Sequence, residues 1–177
     1  MFINGECHYN SGVLWGLIPR TKKKYKIYMS FTGEYHNLLD QKNRLSIPAK
    51  YRNLLNPIND KTFVVCKGFD PCLLLYPVEE WKIVEEQLSS LSSIKNKHRN
   101  FIRNIVRHAN YVKYDQQGRI AIPELLSEYA TIDKDVIVIG MLKKIELWDP
   151  ATLKEYEKQK DFLSDDDFED LANEINF

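Results

Sequence analysis

The sequence predicts an α+β protein built from two copies of one small unit packed about a pseudo-twofold axis. The main observation is a repeated phrase: DQKNRLSIP, at residues 40–48, returns 75 residues later as DQQGRIAIP, at residues 115–123. The second observation is that short β-branched runs and helical segments follow both phrases in the same order. The third is size, because a unit of roughly 45 residues buries too little surface to be stable alone. We therefore expect the two copies to share one core.

Each element of the first half has a counterpart in the second. A strand precedes each phrase, and the phrase itself is a turn and a short strand, since Asp followed by Asn or Gly favours a tight turn. A short helix then begins near a proline, which fits the first helical turn. Two buried strands and a closing helix complete each half. The segments are EYHNLL, AKYRNLL, KTFVVC, CLLLYP and VEEWKIVEEQLSSL, and then NYVKY, ELLSEYA, KDVIVI, KIELWD and PATLKEYEKQK.

These elements divide the chain into a first unit at residues 31–92 and a second at residues 111–158, with a connecting helix at residues 93–110. Three arginines recur every fourth residue on this helix and are expected to line one side of it. Their role stays open between a solvated face, a contact with carboxylates of a neighbouring subunit, and a secondary contact with DNA phosphate. The arginines are Arg99, Arg103 and Arg107, and the apolar side is Ile94, Phe101, Ile102, Ile105 and Val106.

The formal net charge of zero conceals charged ends. Residues 1–28 carry five basic residues against one acid, whereas residues 161–177 carry seven acids and no base. The middle of the chain is therefore mildly basic. Binding to nucleic acid depends on where the positive charge lies, so zero net charge does not exclude a DNA partner.

Several classes of protein are disfavoured by the sequence. No apolar run approaches the length of a membrane span, and the N-terminal apolar stretch precedes its basic run instead of following it as in a signal peptide. We therefore expect a cytosolic protein. Cys7, Cys66 and Cys72 form no CxxC pair and are expected to be reduced thiols, mostly buried, with no metal site. The sequence contains no glycine-rich phosphate loop, HExxH or GxSxG motif, so we expect no enzyme and no cofactor.

Four segments together resemble the MraZ family of bacterial transcriptional regulators, over roughly residues 31–158. They are FTGEYHNLLDQKNRLSIPAKYRNLL, GFDPCLLLYPVEEW, the arginine-rich helix and the second DQQGRIAIP. The resemblance implies two tandem AbrB-like swapped-hairpin β units forming a pseudo-twofold, double-psi-like barrel with peripheral helices. It also implies a ring-shaped homo-oligomer, associated with the nucleoid, that binds repeated promoter boxes in front of the division and cell-wall gene cluster.

Carried over by position, the DNA-contacting arginines of the family fall on Arg44 and Arg119, and the paired acids of the motif fall on Asp40 and Asp115. A guanidinium fork can reach phosphates or the O6 and N7 acceptors of guanine. The aspartates are expected to hold the turn or steer the arginines, because carboxylates repel the DNA backbone. The alternative for each arginine is a surface salt bridge to a local aspartate.

The remaining turn positions differ between the two copies. Lys42 matches the basic residue of the family's first loop and is a candidate DNA contact, but the second loop has Gln117 there. Gly118 supports the second turn. Asn43 departs from the usual glycine, yet Asn can occupy the same left-handed backbone region, so the turn is expected to survive.

Two competing functions stay open: an antitoxin-type regulator of the AbrB superfamily, and a ring scaffold that does not bind DNA. The ends are also ambiguous. Residues 1–28 look like an extension: a disordered basic arm, a lineage-specific structural addition, or the result of an upstream in-frame start used in place of Met29. The acidic tail, at residues 159–177, is a solvated helix, an interaction segment or a competitor with DNA for the basic face.

Overall fold

The computed structural model describes residues 29–159 and 165–175. The predicted N-terminal extension, with Cys7, lies outside the described residues, as do residues 160–164 and 176–177 of the acidic tail. The first half contains β1 (Phe31–Leu38), β2 (Arg44–Ser46), α1 (Ala49–Leu54), β3 (Thr62–Lys67), β4 (Leu73–Pro77) and α2 (Val78–Ser89), with a 3-10 turn at Pro57–Asn59.

The second half repeats this order. It contains β5 (Asn110–Lys113), β6 (Arg119–Ala121), α4 (Glu124–Tyr129), β7 (Asp135–Leu142), β8 (Lys144–Trp148) and α5 (Pro150–Glu157). The connecting helix α3 (Asn96–Val106) joins the halves, and α6 (Asp165–Glu174) lies in the acidic tail. The connecting helix is shorter than predicted, because Asn110 already pairs with Val65 as the first residue of a strand.

The strands of the two halves are interleaved. Six antiparallel strands form one sheet in the order β1-β7-β8-β4-β3-β5, and β2 pairs with β6 in a separate ribbon. Each half sends its first strand to the other half, since β1 pairs with β7 and β5 pairs with β3. The middle of the sheet is the β4–β8 pair, which relates the halves by the expected pseudo-twofold symmetry. Neither half can complete its sheet alone.

This architecture confirms an α+β fold with an antiparallel sheet and several helices. The ends of the six-stranded sheet are β1 and β5, and the strand pairings of the described residues do not include one between them. Closure into a double-psi-like barrel therefore stays a prediction.

The sheet separates two hydrophobic clusters, because side chains alternate between the faces of a strand. In β3, Phe63 and Val65 point to one cluster while Val64 and Cys66 point to the other. The first cluster lies under the β2–β6 ribbon, α1 and α4, and contains Leu45, Ile47, Tyr51, Ile120 and Leu126. The second lies under α2, α3 and α5, and contains Trp81, Trp148 and Leu153, with Ile105 of α3 packed against it. The ribbon and α3 therefore lie on opposite faces of the sheet.

The buried-thiol prediction is confirmed for two of the three cysteines. Cys66 and Cys72 are free and buried. Burial raises the pKa of each thiol to about 12, which disfavours the reactive thiolate. No group of three or more His, Cys, Asp or Glu side chains is arranged to hold a metal within the described residues. None of the helices described is long and apolar enough to cross a membrane.

Candidate nucleic-acid interface

The first repeated phrase folds into a turn organised by one carboxylate. Asp40 Oδ1 accepts hydrogen bonds from the backbone N–H groups of Lys42 and Arg44, at 2.9 and 3.0 Å. Asp40 Oδ2 accepts from Nε of Arg44 at 2.8 Å and lies 2.7 Å from its Nη2. The same aspartate therefore closes the turn and fixes the plane of the guanidinium group.

The second phrase reproduces these bonds. Asp115 Oδ1 accepts from the N–H groups of Gln117 and Arg119, at 2.9 and 3.0 Å. Its Oδ2 accepts from Nε and Nη2 of Arg119, at 3.0 and 2.8 Å. Both turns place one residue in the left-handed region, Asn43 with φ 52° and Gly118 with φ 79°. Asn therefore adopts the backbone conformation that its glycine counterpart adopts.

The β2–β6 ribbon brings the two turns together across the pseudo-twofold axis. The N–H of Ile47 donates to the carbonyl of Gly118 at 2.9 Å, and the N–H of Ile122 donates to that of Asn43 at 2.8 Å. Each turn is thus tied to the strand that follows the other turn. These reciprocal bonds place the two Asp–Arg pairs on one surface.

Four charged side chains meet there, and we call them the four-charge cluster: Asp40, Arg44, Asp115 and Arg119. Besides the pairs within each turn, Arg44 Nη1 lies 3.9 Å from Asp115 Oδ2, and Arg119 Nη1 lies 3.6 Å from Asp40 Oδ2. Between 24% and 35% of each side chain is exposed. The guanidinium groups are therefore held rigidly but remain accessible from solvent.

The cluster carries no net charge at neutral pH. Hydrogen bonds from the adjacent arginines hold the pKa of Asp40 and of Asp115 at about 2. The hydrogen bond to Asp40 in turn raises the pKa of Arg44. Both carboxylates and both guanidinium groups are consequently ionised. Of the five N–H donors of each guanidinium group, two face its own aspartate, which leaves donors for a ligand but no excess positive charge.

The basic residues of the elements next to the cluster come mainly from the first half of the chain. Lys42 is exposed in that turn, and α1 carries Lys50 and Arg52 with no acid. The matching helix of the second half, α4, carries Glu124 and Glu128 with no base. The two halves therefore differ in charge despite the symmetry of their backbones.

Arg52 is a residue that the sequence reasoning missed. Its Nε donates to the carbonyl of Ile47 at 3.0 Å, which holds its guanidinium group over the second turn. A Cβ added to the buried Gly118 would lie 2.5 Å from Cζ and Nε of Arg52. A cation of the first half thus packs on the turn of the second. The sequence does contain a signal for this difference between the halves. When the two repeats are aligned, Arg52 occupies the position equivalent to the neutral Ser127.

The three arginines of α3 do not join this surface, because α3 packs on the opposite face of the sheet. Arg99 Nη1 donates to the carbonyl of Ser93 at 2.9 Å, and Arg103 Nη1 donates to Asn100 Oδ1 at 2.8 Å. Within residues 29–159, no carboxylate forms an ion pair with Arg99, Arg103 or Arg107.

The fold and the site define a class of protein: an internally duplicated α+β chain whose interleaved halves present paired Asp–Arg turns on one surface. The chain belongs to the MraZ family, since the family model described as "MraZ protein, putative antitoxin-like" matches residues 30–104 and 105–174. The predicted resemblance is thereby confirmed.

Similar proteins are named Transcriptional regulator MraZ. The one from Clostridium beijerinckii is 40% identical over 146 residues, which cover 82% of this chain and 96% of the relative. The one from Clostridium tetani is 38% identical over 146 residues, with the same coverage of both chains. The one from Clostridium acetobutylicum is 43% identical over 126 residues, which cover 71% of this chain and 86% of the relative.

Proposed function

We propose that this protein is a transcriptional regulator that binds DNA sequence-specifically through the four-charge cluster. The observation that carries the proposal is the reciprocal arrangement of the two turns, in which each arginine is bound by its own aspartate and faces the aspartate of the other turn. The names of the relatives support a role in transcription. The target that the family suggests is a set of repeated promoter boxes in front of the division and cell-wall gene cluster.

The cluster and the surrounding cations have different tasks in this proposal. Arg44 and Arg119 are oriented before DNA arrives, so little side-chain entropy is lost when they donate to the O6 and N7 acceptors of guanine. The net charge of the cluster is zero, so it adds little non-specific attraction. Lys42, Lys50 and Arg52 supply the phosphate contacts that set position and most of the salt dependence.

Oligomerisation is part of the proposed mechanism. A single chain offers one small surface, whereas a homo-oligomeric ring presents the same surface to successive DNA repeats. The second and later contacts then benefit from a high effective concentration. Such a protein would act in the cytoplasm, associated with the nucleoid.

The test is DNA affinity measured by fluorescence anisotropy across a salt series. The probes are a fragment from upstream of the protein's own gene and a shuffled fragment of equal composition. The variants are Arg44→Ala/Arg119→Ala and, as a control of equal charge change, Lys82→Ala/Lys154→Ala on the helices of the opposite face. We expect the first variant to lose the preference for the native fragment and the control to keep it.

A second variant separates base contact from charge. Asp40→Asn/Asp115→Asn keeps both arginines but removes their charged partners. The cluster then carries about two positive charges. We expect stronger binding to both fragments, a steeper salt dependence and a smaller preference for the native one. A wild-type protein that binds neither fragment would refute the proposal.

One observation favours the ring-scaffold alternative: the charges of the cluster already satisfy one another within the chain. If the cluster is structural, Arg44→Ala/Arg119→Ala lowers stability and leaves any DNA affinity unchanged. The antitoxin alternative is favoured by the description of the family as antitoxin-like. This alternative predicts that the chain co-purifies with a toxin partner from its own organism.

A further inference from the structure

The solvent side of α3 is a row of cations that have no carboxylate partner within residues 29–159. Arg99, Arg103 and Arg107 are spaced four residues apart, and Lys95 and Lys97 precede them. The sequence contains no acid between residues 94 and 114. Like charges at this spacing repel one another along a helix. We call Arg99, Arg103 and Arg107 the α3 ridge.

Apolar side chains of α3 also stay exposed instead of being buried by the fold. Phe101 is 42% exposed and stacks on Phe69, which is 79% exposed, with ring centroids 6.2 Å apart and planes within 9°. Val106 is 48% exposed, and no residue of α3 is fully buried. Exposed apolar side chains on a helix that also carries a charged row are typical of a protein-binding surface.

The acidic helix α6 has complementary properties. Its ten residues contain six acids and no base. Leu171 and Ile175 lie four residues apart, hence on one side of the helical segment, and are 51% and 71% exposed. An isolated helix of this length is marginal in water, and its like charges weaken it further. It would therefore gain from a cationic, partly apolar partner.

We propose that α6 of one copy docks on the α3 ridge of a neighbouring copy. The carboxylates of Glu169, Asp170 and Glu174 pair with Arg99, Arg103 and Arg107, while Leu171 and Ile175 pack near the exposed Val106, which borders the ridge. The inference rests on the homo-oligomer of the proposed function and names one of its contacts.

A second copy is the occupant that the structure favours. No carboxylate within residues 29–159 of the same chain pairs with the α3 ridge, and Leu171 and Ile175 remain exposed. Every copy carries both surfaces, so each copy donates one helix and accepts another. Such a head-to-tail contact is heterologous and generates a closed ring when the rotation closes.

DNA is the less favoured occupant of the α3 ridge. The ridge lies on the face of the sheet opposite the four-charge cluster, so a duplex held by the cluster would not reach it. Docking there leaves the cluster free, which allows the oligomer to bind DNA.

The test is the mass of the full-length protein by sedimentation velocity, over a concentration series at two salt concentrations. One variant reverses the α3 ridge, Arg99→Glu/Arg103→Glu/Arg107→Glu, and one reverses α6, Glu169→Lys/Asp170→Lys/Glu174→Lys. Each is expected to weaken association at least about tenfold, and a chain carrying both reversals is expected to regain it. The control, Lys82→Glu/Lys154→Glu on α2 and α5, is expected to keep the wild-type mass.

Each other outcome has a definite meaning. A wild-type oligomer whose mass is unchanged by either reversal refutes the docking, while the proposed oligomer stands. A wild-type protein that is monomeric throughout refutes both. An α3 variant that keeps its mass but loses DNA affinity identifies the ridge as a DNA contact and refutes the docking. If circular dichroism shows that reversal unfolds α3, Leu171→Ser/Ile175→Ser, in α6 and directly after it, provides the same test.

Discussion

The contact between Arg52 and Gly118 makes a quantitative prediction for Gly118→Ala. The alanine would have to adopt the left-handed backbone conformation of Gly118, at φ 79°, which costs about 1 kcal/mol for a residue with a side chain. Its Cβ would also lie 2.5 Å from the guanidinium group of Arg52, which must move and lose its hydrogen bond to Ile47. That bond contributes about 1 kcal/mol. The variant is therefore expected to lose about 2 kcal/mol of unfolding free energy, or a Tm decrease of roughly 4–8 °C.

A double-mutant cycle separates the two causes. In the Arg52→Ala background the guanidinium group is absent, so Gly118→Ala should cost only the backbone term of about 1 kcal/mol. The coupling between positions 52 and 118 is then about 1 kcal/mol. The assay is urea unfolding followed by fluorescence of the buried Trp81 and Trp148, at one fixed protein concentration because association shifts apparent stability.

Two results would refute this reasoning. A cost below about 0.5 kcal/mol for Gly118→Ala would mean that the turn tolerates a side chain at this position. Additive costs in the cycle, within about 0.3 kcal/mol, would mean that Arg52 does not pack on the second turn.

Three further predictions concern the cluster, the sheet and the thiols. The pKa of Asp40 and of Asp115 is about 2 in the folded protein, below the ordinary value of 3.8. The contribution of both carboxylates to stability is therefore complete above about pH 4 and is lost as the pH falls toward 2. Titration of the carboxyl carbons by NMR tests this, and midpoints near 4 would contradict it. Gly140→Ala places a Cβ 2.5 Å from the backbone of β1. We therefore expect the free energy of unfolding, measured in urea, to fall by about 3 kcal/mol. A decrease below about 1 kcal/mol would exclude this close approach. Burial raises the pKa of Cys66 and of Cys72 to about 12, so both thiols should resist iodoacetamide at pH 8 until the protein unfolds. Labelling is measured by mass spectrometry. Rapid labelling of the native protein would show that the thiols are accessible.

Local patterns in the sequence predict the elements of this protein well. The order of strand, turn, strand, helix, strand, strand and helix is correct in both halves, because hydrophobic period, proline position and turn residues act over a few neighbouring residues. The left-handed conformation at Asn43 follows from the repeat, which aligns it with Gly118. The connecting helix is shorter than the sequence predicts. Its last predicted residue, Asn110, belongs to a strand and pairs with Val65, and no local pattern reveals this pairing.

The site divides in the same way. Its two arginines and two aspartates are visible in the sequence as a repeated spacing, and this spacing already predicts an Asp-supported turn. Their mutual neutralisation is not visible, because it depends on pairs such as Arg119 with Asp40, which lie far apart in the chain. The packing of Arg52 on Gly118 likewise joins the two halves.

By itself, the sequence determined that the chain is a duplicated α+β protein with two Asp–Arg turns, since duplication and turn chemistry are written in neighbouring residues. Only the tertiary structure decided that the halves exchange their first strands, that the turns meet as a neutral cluster, and that the α3 ridge faces away from them. The physical reason is that strand pairing and charge pairing are chosen among distant partners by the packing of the shared core.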